Sequence, residues 1–377
     1  MLAHRRVLVD ASMATSGGGY TYLVNMIPAL ARACPETEFL VLIRTPGLAQ
    51  IISPIANVEI RVLPQSGLLG RIAFLASQAA TLAAVWEADI YLSVAEYAPR
   101  GAHCPVVVQL RNANVFTSLD MGWGKYQKFR LGALRRLAIL SAKRAARVIF
   151  VSQDSANWMG DAARIPLDLR KVVYHGVDLD AWRQAMNSRP RTGKTGILSV
   201  SSIYRYKNCV RLVEAYCELA RRVPEVPPLT IVGDDQDAKY SGELRRAISR
   251  AGELARKINL VGMVPYEEII AWYRDASLFV FPSYLETFGH PLLEAMASEL
   301  PVVAADIPVF HEIAGEAALY VNPFDKNEMA DAMERVLADK GEARRLSEQA
   351  RECVEAFTWK SAADRLASLL DEVLAER

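Results

Sequence analysis

Residues Ser277–Asp306, SLFVFPSYLETFGHPLLEAMASELPVVAAD, read as one connected unit. SLFVFPS is an apolar run of strand length, and YLETFG is a loop. Pro291 suits the first position of a helix, where its missing N–H is not needed. The apolar stretch it opens is expected to be helical over Pro291–Ser298, and PVVAAD returns as a second strand. Strand, loop, helix and strand in succession is the connectivity of a parallel sheet.

The same alternation runs outward along the chain. RVLVDAS, EFLVLIR, VEIRVLP, DIYLSV, PVVVQL, RVIFVS and KVVYHG read as strands in the first half. Amphipathic segments such as Tyr20–Arg32 and Leu68–Trp86 lie between them. GILSVSS, LTIVGD, INLVG, LFVFPS, PVVAAD and ALYVN are the strands of the second half. Helices are expected there over Asn208–Arg222, Gly242–Ala255, Pro265–Ala276, Pro291–Ser298 and Lys326–Ala338. Nearly continuous apolar strands belong to sheets covered on both faces. Two successive sets predict an α/β fold of two Rossmann-like doubly wound domains. The polar stretch Asp178–Lys194 reads as the break. The expected divisions are 1–178, 179–357, and a closing amphipathic helix over 358–377 that packs back on the first domain. Ligands of such sheets bind beyond the carboxyl ends of the strands, so two facing domains predict a cleft.

The chain has 377 residues, 51% of them apolar and 23% charged, the profile of a globular protein. No apolar run reaches the roughly 18 residues of a spanning helix. The start, MLAHRRVLVDAS, lacks a signal-peptide core, and a cytoplasmic location is expected. Five cysteines without a CxxC pair favour reduced thiols. Net charge is +1, but residues 1–180 carry 19 Lys and Arg against 13 Asp and Glu, and the remainder 25 against 30. That asymmetry suggests a first half that meets an anionic surface. Lys125–Arg147, KYQKFRLGALRRLAILSAKRAAR, has eight basic residues and no acid. It reads either as a helix lying on anionic lipid, which would make the protein peripheral to the membrane, or as an ordinary helix with a basic solvent face. Nucleic acid is disfavoured, since no aromatic stacking set accompanies the charge.

Three places could carry chemistry. Gly17, Gly18 and Gly19 follow the first strand and let backbone approach a ligand at a helix start. The dinucleotide pattern would need glycine at position 22, which is Tyr22, so an NAD site is disfavoured. Arg205 and Lys207 stand between a strand and a helix, as two cations for a diphosphate would. In the opening stretch, helix-start amides at Gly289 to Leu292 favour negative charge. Glu294 and Glu286 can each accept two hydrogen bonds from a vicinal diol.

These motifs resemble the retaining GT-B glycosyltransferases, group 1 and family 4-like. That group includes glycogen and sucrose synthases and many bacterial polysaccharide and lipid glycosyltransferases. PSYLETFGHPLLEAMASELPVVAAD is similar to that family's E-x7-E signature, and GGGY, YKN, IVGDD and LVGMVPYEEIIAWYRDASLFVFPS fall in the family's order. The resemblance implies transfer of a sugar, with retention, from a GDP- or UDP-linked donor to an acceptor hydroxyl, in bacterial polysaccharide, lipopolysaccharide or glycolipid assembly. It implies no metal and no cofactor beyond the donor co-substrate; the partners are the donor and a sugar or lipid-linked sugar acceptor. Glu294 would bind the donor ribose, and Glu286 would contact the transferred sugar near the reacting carbon. Amides of Phe288, Gly289 and His290, beside Pro291 and Leu292, would hold sugar and phosphate, with Arg205 and Lys207 on the diphosphate. Gly18 and Gly19 would close over the donor. The base would lie near Gly262, Met263 and Val264, with Gly233 and Asp234 shaping the edge.

The family often has a histidine after the strand read here as VVVQL. This chain has Arg111 and Asn112 there, which makes Arg111 the substitute on the acceptor side. Glu299 stands where ASGLP would carry glycine. RTGKTG lacks the first glycine of a phosphate loop, since position 188 is serine. The acids of DDQD, Asp234 to Asp237, read as a loop rather than a metal site. His290 and Glu294 are four apart but have no evident third ligand. A sugar-nucleotide epimerase of similar shape, or a catalytically silent nucleotide-binding module, are the alternative readings.

Overall fold

The computed structural model describes residues 2–13, 18–52, 55–188, 192 and 196–376. It divides into two compact units, Met1–Gly176 with Trp359–Arg377, and Val177–Thr358. The chain thus leaves the first unit two residues before the expected break.

In the first unit the strands are β1 (Arg6–Asp10), β2 (Glu38–Ile43), β3 (Val58–Val62), β4 (Ile90–Ser93), β5 (Val106–Leu110), β6 (Arg147–Phe150) and β7 (Arg170–Val172). They form one parallel sheet in the order β3-β2-β1-β4-β5-β6-β7. The period of two sends alternate residues to opposite faces. Val7, Val9, Phe39, Val41 and Ile43 enter one core, while Leu8, Leu40 and Leu42 enter the other. Helices α1 (Gly18–Ala33), α2 (Pro46–Ile52), α3 (Leu68–Ser77), α4 (Ala79–Val85), α5 (Ala113–Phe116), α6 (Lys125–Ala142) and α7 (Gln153–Ala163) cover the sheet.

In the second unit β8 (Gly196–Val200), β9 (Leu229–Val232), β10 (Ile258–Gly262), β11 (Ala276–Phe281), β12 (Val302–Ala305) and β13 (Ala318–Val321) form a parallel sheet in the order β10-β9-β8-β11-β12-β13. This is the doubly wound 3-2-1-4-5-6 order, with its switch point between β8 and β11. Around it lie α8 (Leu179–Asn187), α9 (Cys209–Arg222), α10 (Ala238–Arg250), α11 (Tyr266–Arg274), α12 (His290–Ala297), α13 (Pro308–Ala314), α14 (Lys326–Ala338) and α15 (Lys340–Cys353). The closing helix α16 (Trp359–Ala375) belongs to the first unit. Its Trp359, Leu366, Leu369, Leu370 and Val373 share a core with Tyr22, Leu23, Met26 and Leu30 of α1.

The thirteen runs read as strands are all strands. Several helices differ from expectation for local reasons. Leu68–Trp86 is two helices bent by 45° at Gln78, which lets Phe74, Leu75, Ala79 and Ala83 all bury on the sheet. By length and composition alone that bent pair could enter a membrane, but among the described residues no single helix is long and apolar enough to cross one. The basic segment is helical only to Ala142, because Ala146 N–H then bonds Val106 and opens β6. Asp237 caps α10 through Tyr240 N–H, so that helix starts before Gly242. It ends before Gly252, whose φ of +62° turns the chain. The segment read as a linker begins with α8, capped by Asp178. Gly193 and Lys194 of RTGKTG, like Gly17, lie outside the described residues, while Gly196 opens β8.

Candidate functional site

The second unit gathers its chemistry at the switch point. The chain leaves β8 into a 3₁₀ turn, Arg205–Lys207, closed by the Lys207 N–H on Tyr204 O at 3.0 Å. Asn208 ends the turn at φ +62°, a left-handed geometry that asparagine tolerates. Its buried Nδ2 donates to Pro282 O and Pro323 O at 3.2 and 2.6 Å, tying the turn to the ends of two other strands. Tyr206 O accepts from Tyr284 N–H at 3.0 Å and from Ser283 Oγ at 3.1 Å. The β11 loop is thereby fixed against the β8 turn, and Lys207 Nζ lies 2.5 Å from Glu286 Oε1. Both side chains are nearly buried, 14% and 12% exposed. Burial pulls the Lys207 pKa down, but the charge of Glu286, Tyr206 and the hydrogen bond to Glu286 outweigh it, and the net shift is upward. Lys207 therefore stays an ammonium.

Two glycines are required where the backbone crowds. A Cβ on Gly233 would sit 1.8 Å from Ser201 O, where the ends of β8 and β9 meet. Gly289, the N-cap of α12, has φ +98°, and a Cβ there would lie 2.9 Å from the Phe310 ring. His290 is the first residue of α12, with Pro291 second, one position later than expected. Leu292 N–H donates back to Gly289 O at 3.0 Å, so that amide is not available to a ligand. This corrects its expected role, since the tight left-handed cap turns the helix's third amide inward.

Glu294 is buried on α12, and its Oε2 accepts from Tyr273 Oη at 2.9 Å. Tyr273 is set edge-on against Trp182 of α8, with ring centroids 5.3 Å apart. Phe288 is buried and meets the half-buried His290 edge-on at 5.4 Å. Gly262, at φ +82°, gives its carbonyl to Gly233 N–H at 2.9 Å, and Met263 beyond it is 78% exposed. Arg205 is not beside Lys207's carboxylate: its guanidinium pairs with Glu243 of α10 at 2.7 Å and lies 5.1 Å over Tyr240. In DDQD, Asp237 caps α10, Asp235 pairs with Arg245, and Asp234 accepts from Gln236.

The first unit has its own polar cluster beyond β4 and β5. Glu96, at φ +59° and buried, accepts the amides of Arg111 and Asn112 on Oε1 at 3.1 and 3.0 Å. Burial raises its pKa against the pull of Arg111. The Arg111 guanidinium lies 4.7 Å over Tyr22, whose hydroxyl burial pushes up to about 12. Tyr22 also meets His175 at 5.2 Å and Trp359 at 6.1 Å. Asn112, the other residue expected on the acceptor side, uses its side-chain oxygen to cap α5 through Asn114 N–H. Among the described residues a Cβ on Gly18 would meet no atom within 4 Å, at the start of α1.

Asn208, Tyr273, Glu243 and Glu96 were not singled out from sequence as site residues. Only Asn208 carried a local signal, an asparagine between a cation pair and an apolar helix. The others come from elements distant in the chain.

The fold and this switch-point geometry define a class, the GT-B glycosyltransferases. Residues 180–353 match the model for Glycosyl transferases group 1, and residues 16–181 match that for Glycosyltransferase Family 4. The chain belongs to these glycosyltransferases. It is similar to the O-antigen chain mannosyltransferase RfbU of Salmonella typhimurium, 29% identical over 54% of each chain. It also resembles the D-inositol 3-phosphate glycosyltransferase of Corynebacterium efficiens, 24% identical over 98% of this chain and 93% of that one. The chain spans about half the length of the first curated relatives it matches. Among solved structures, Anabaena Alr3699/HepE in complex with UDP-glucose aligns over 98% of this chain and 100% of that one, at 20% identity and TM-score 0.76, a likeness of fold.

Proposed function

We propose that the protein transfers a sugar, with retention, from a nucleoside-diphosphate sugar to an acceptor hydroxyl in bacterial polysaccharide or glycolipid assembly. The observation that carries this reading is the nearly buried Lys207–Glu286 pair at the sheet's switch point. A lone ammonium there, held by a single carboxylate, is poised to exchange partners. A diphosphate brings more negative charge than Glu286 and takes over Lys207, assisted by the start of α12. Glu286 is then released to the hydroxyls of the transferred sugar, and Glu294, oriented by Tyr273, holds the ribose.

Breaking the sugar–phosphate bond develops positive charge at the anomeric carbon and negative charge on the diphosphate. Lys207 stabilises the latter, the work a divalent metal performs elsewhere, and no metal is needed in this scheme. The acceptor oxygen attacks the same face, its proton passes to the leaving phosphate oxygen, and a nucleoside diphosphate departs. Arg205, clamped by Glu243, positions the turn that carries Lys207, and Arg111 serves the acceptor side. The favoured location is cytoplasmic, with the basic α6 face peripheral on an anionic membrane.

A thermal-shift screen against UDP-, GDP- and ADP-sugars, followed by transfer to candidate acceptors and NMR of the product's anomeric centre, tests the reading. Stabilisation by one donor and a retained configuration are expected. An inverted product, or conversion of the donor without any acceptor, contradicts it.

A further inference from the structure

The first unit holds a groove that this reaction leaves unassigned. Between α3 and α6 lies a cavity of about 130 Å³. Ile72, Leu75 and Ala76 form one wall, and Leu134, Leu137 and Leu140 the other. The cavity's apolar walls would gain by covering with hydrocarbon. Ala98 N–H on Ser141 Oγ, at 3.1 Å, fixes the β4 loop against α6 and shapes one end. Arg100 and Arg144 are exposed and line the same cavity. Among the described residues neither guanidinium has an acidic partner.

The surface around the groove is mixed in a particular way. Lys125, Phe129, Arg136, Leu140 and Lys143 fall on one exposed stripe of α6 at helical spacing. Tyr126, Phe129 and, on α3, Leu69 are 79%, 77% and 83% exposed. Arg71 is the only charged residue from 64 to 86, and 125–147 has no acid at all. Lys128 pairs with Asp120 and Arg147 with Glu376, and large apolar and aromatic groups set among the remaining cations fit an anionic headgroup layer, where rings sit between water and hydrocarbon. Charge alone would suit nucleic acid, but an apolar cavity would not.

We propose that this groove takes one hydrocarbon chain of a phosphate-bearing lipid drawn from an anionic bilayer. Arg100 and Arg144 meet the phosphate, while Tyr126 and Phe129 enter the headgroup layer. The proposal rests on the membrane contact proposed above and adds to it a stoichiometric lipid site beside the acceptor-side unit's β4 loop.

The test uses the full chain and two probes. In calorimetry, monomeric dihexanoyl phosphatidic acid is expected to bind one to one, and glycerol 3-phosphate at least tenfold more weakly. Arg100→Gln with Arg144→Gln removes two charges facing an anionic surface and should cost about tenfold or more. Ala76→Trp fills the groove from an exposed helix position and should cost as much, with melting temperature unchanged. In flotation, vesicles of phosphatidylcholine with phosphatidylglycerol should carry the protein, and phosphatidylcholine alone should not. Equal affinity for glycerol 3-phosphate, or full affinity of Ala76→Trp for the short-chain lipid, overturns the groove. If vesicle binding survives both groove variants and falls only in Tyr126→Ser with Phe129→Ser, the membrane contact stands and the lipid site fails. No vesicle binding by the wild type overturns both, while the sugar-nucleotide thermal shifts report separately on glycosyl transfer.

Discussion

Lys207 is a nearly buried ammonium held by one carboxylate, and the chemistry proposed for the protein passes through it. Lys207→Ala is expected to lower turnover by about 10²–10³-fold, the usual cost of removing one preorganised charge-stabilising group. Circular dichroism and the melting curve should show the fold retained. Near-normal turnover would remove its assigned role. The raised Lys207 pKa also has a sign in stability. A group whose folded pKa is raised contributes fully below its unfolded value, about 10.4, and loses that contribution as pH rises through the folded value. The difference in melting temperature between wild type and Lys207→Met should therefore stay level at neutral pH and narrow only above about pH 10.4. Glu294→Gln keeps the shape against Tyr273 and should weaken donor affinity about tenfold, the scale of a hydrogen bond to a charged group. Unchanged calorimetric affinity would contradict the ribose contact. At this scale the sequence pointed to Lys207, Glu286 and Glu294 because they follow strands, and the fold brings Lys207 and Glu286 into contact. The pairing of Arg205 with Glu243 was not legible, because Glu243 lies on another helix, α10, across a separation no local pattern reports.

At the scale of elements, α12 ends in a Schellman motif on a residue unsuited to it. Leu300 N–H bonds Ala295 O at 3.1 Å and Glu299 N–H bonds Met296 O at 2.9 Å, with Glu299 at φ +53°. That geometry favours glycine, and a side chain there costs about 1 kcal/mol. Glu299→Gly should raise stability by about 0.5–1 kcal/mol, a gain of a few degrees in melting temperature. A fall would show that the left-handed turn is not strained. Gly233→Ala should do the opposite, and severely, because its Cβ would strike Ser201 O. The turn at Glu299 was expected only from the family resemblance, whose ASGLP pattern has glycine at that position. The helix α8 was not, since its polar, proline- and glycine-flanked sequence carries the marks of a linker. What makes it a helix is the Asp178 cap together with the packing of Trp182 on Tyr273, a tertiary contact.

For the whole molecule, the two parallel sheets were legible strand by strand, because strands buried on both faces are nearly continuous apolar runs. Their order was not, as pairing depends on crossovers that leave no local trace. It is the order that sets Lys207 and Glu286 on either side of the switch point. A donor site built from an ammonium and a helix start should work without a divalent cation. Activity is thus expected to be unaffected by EDTA, and loss that magnesium restores would overturn this part of the account. The most direct measurement is a crystal structure of the protein with an intact nucleotide-sugar donor. The account predicts the diphosphate within hydrogen-bond reach of Lys207 Nζ and the start of α12, the ribose on Glu294, and Glu286 turned from Lys207 to the sugar. A diphosphate bound elsewhere, with the Lys207–Glu286 pair intact, would contradict it.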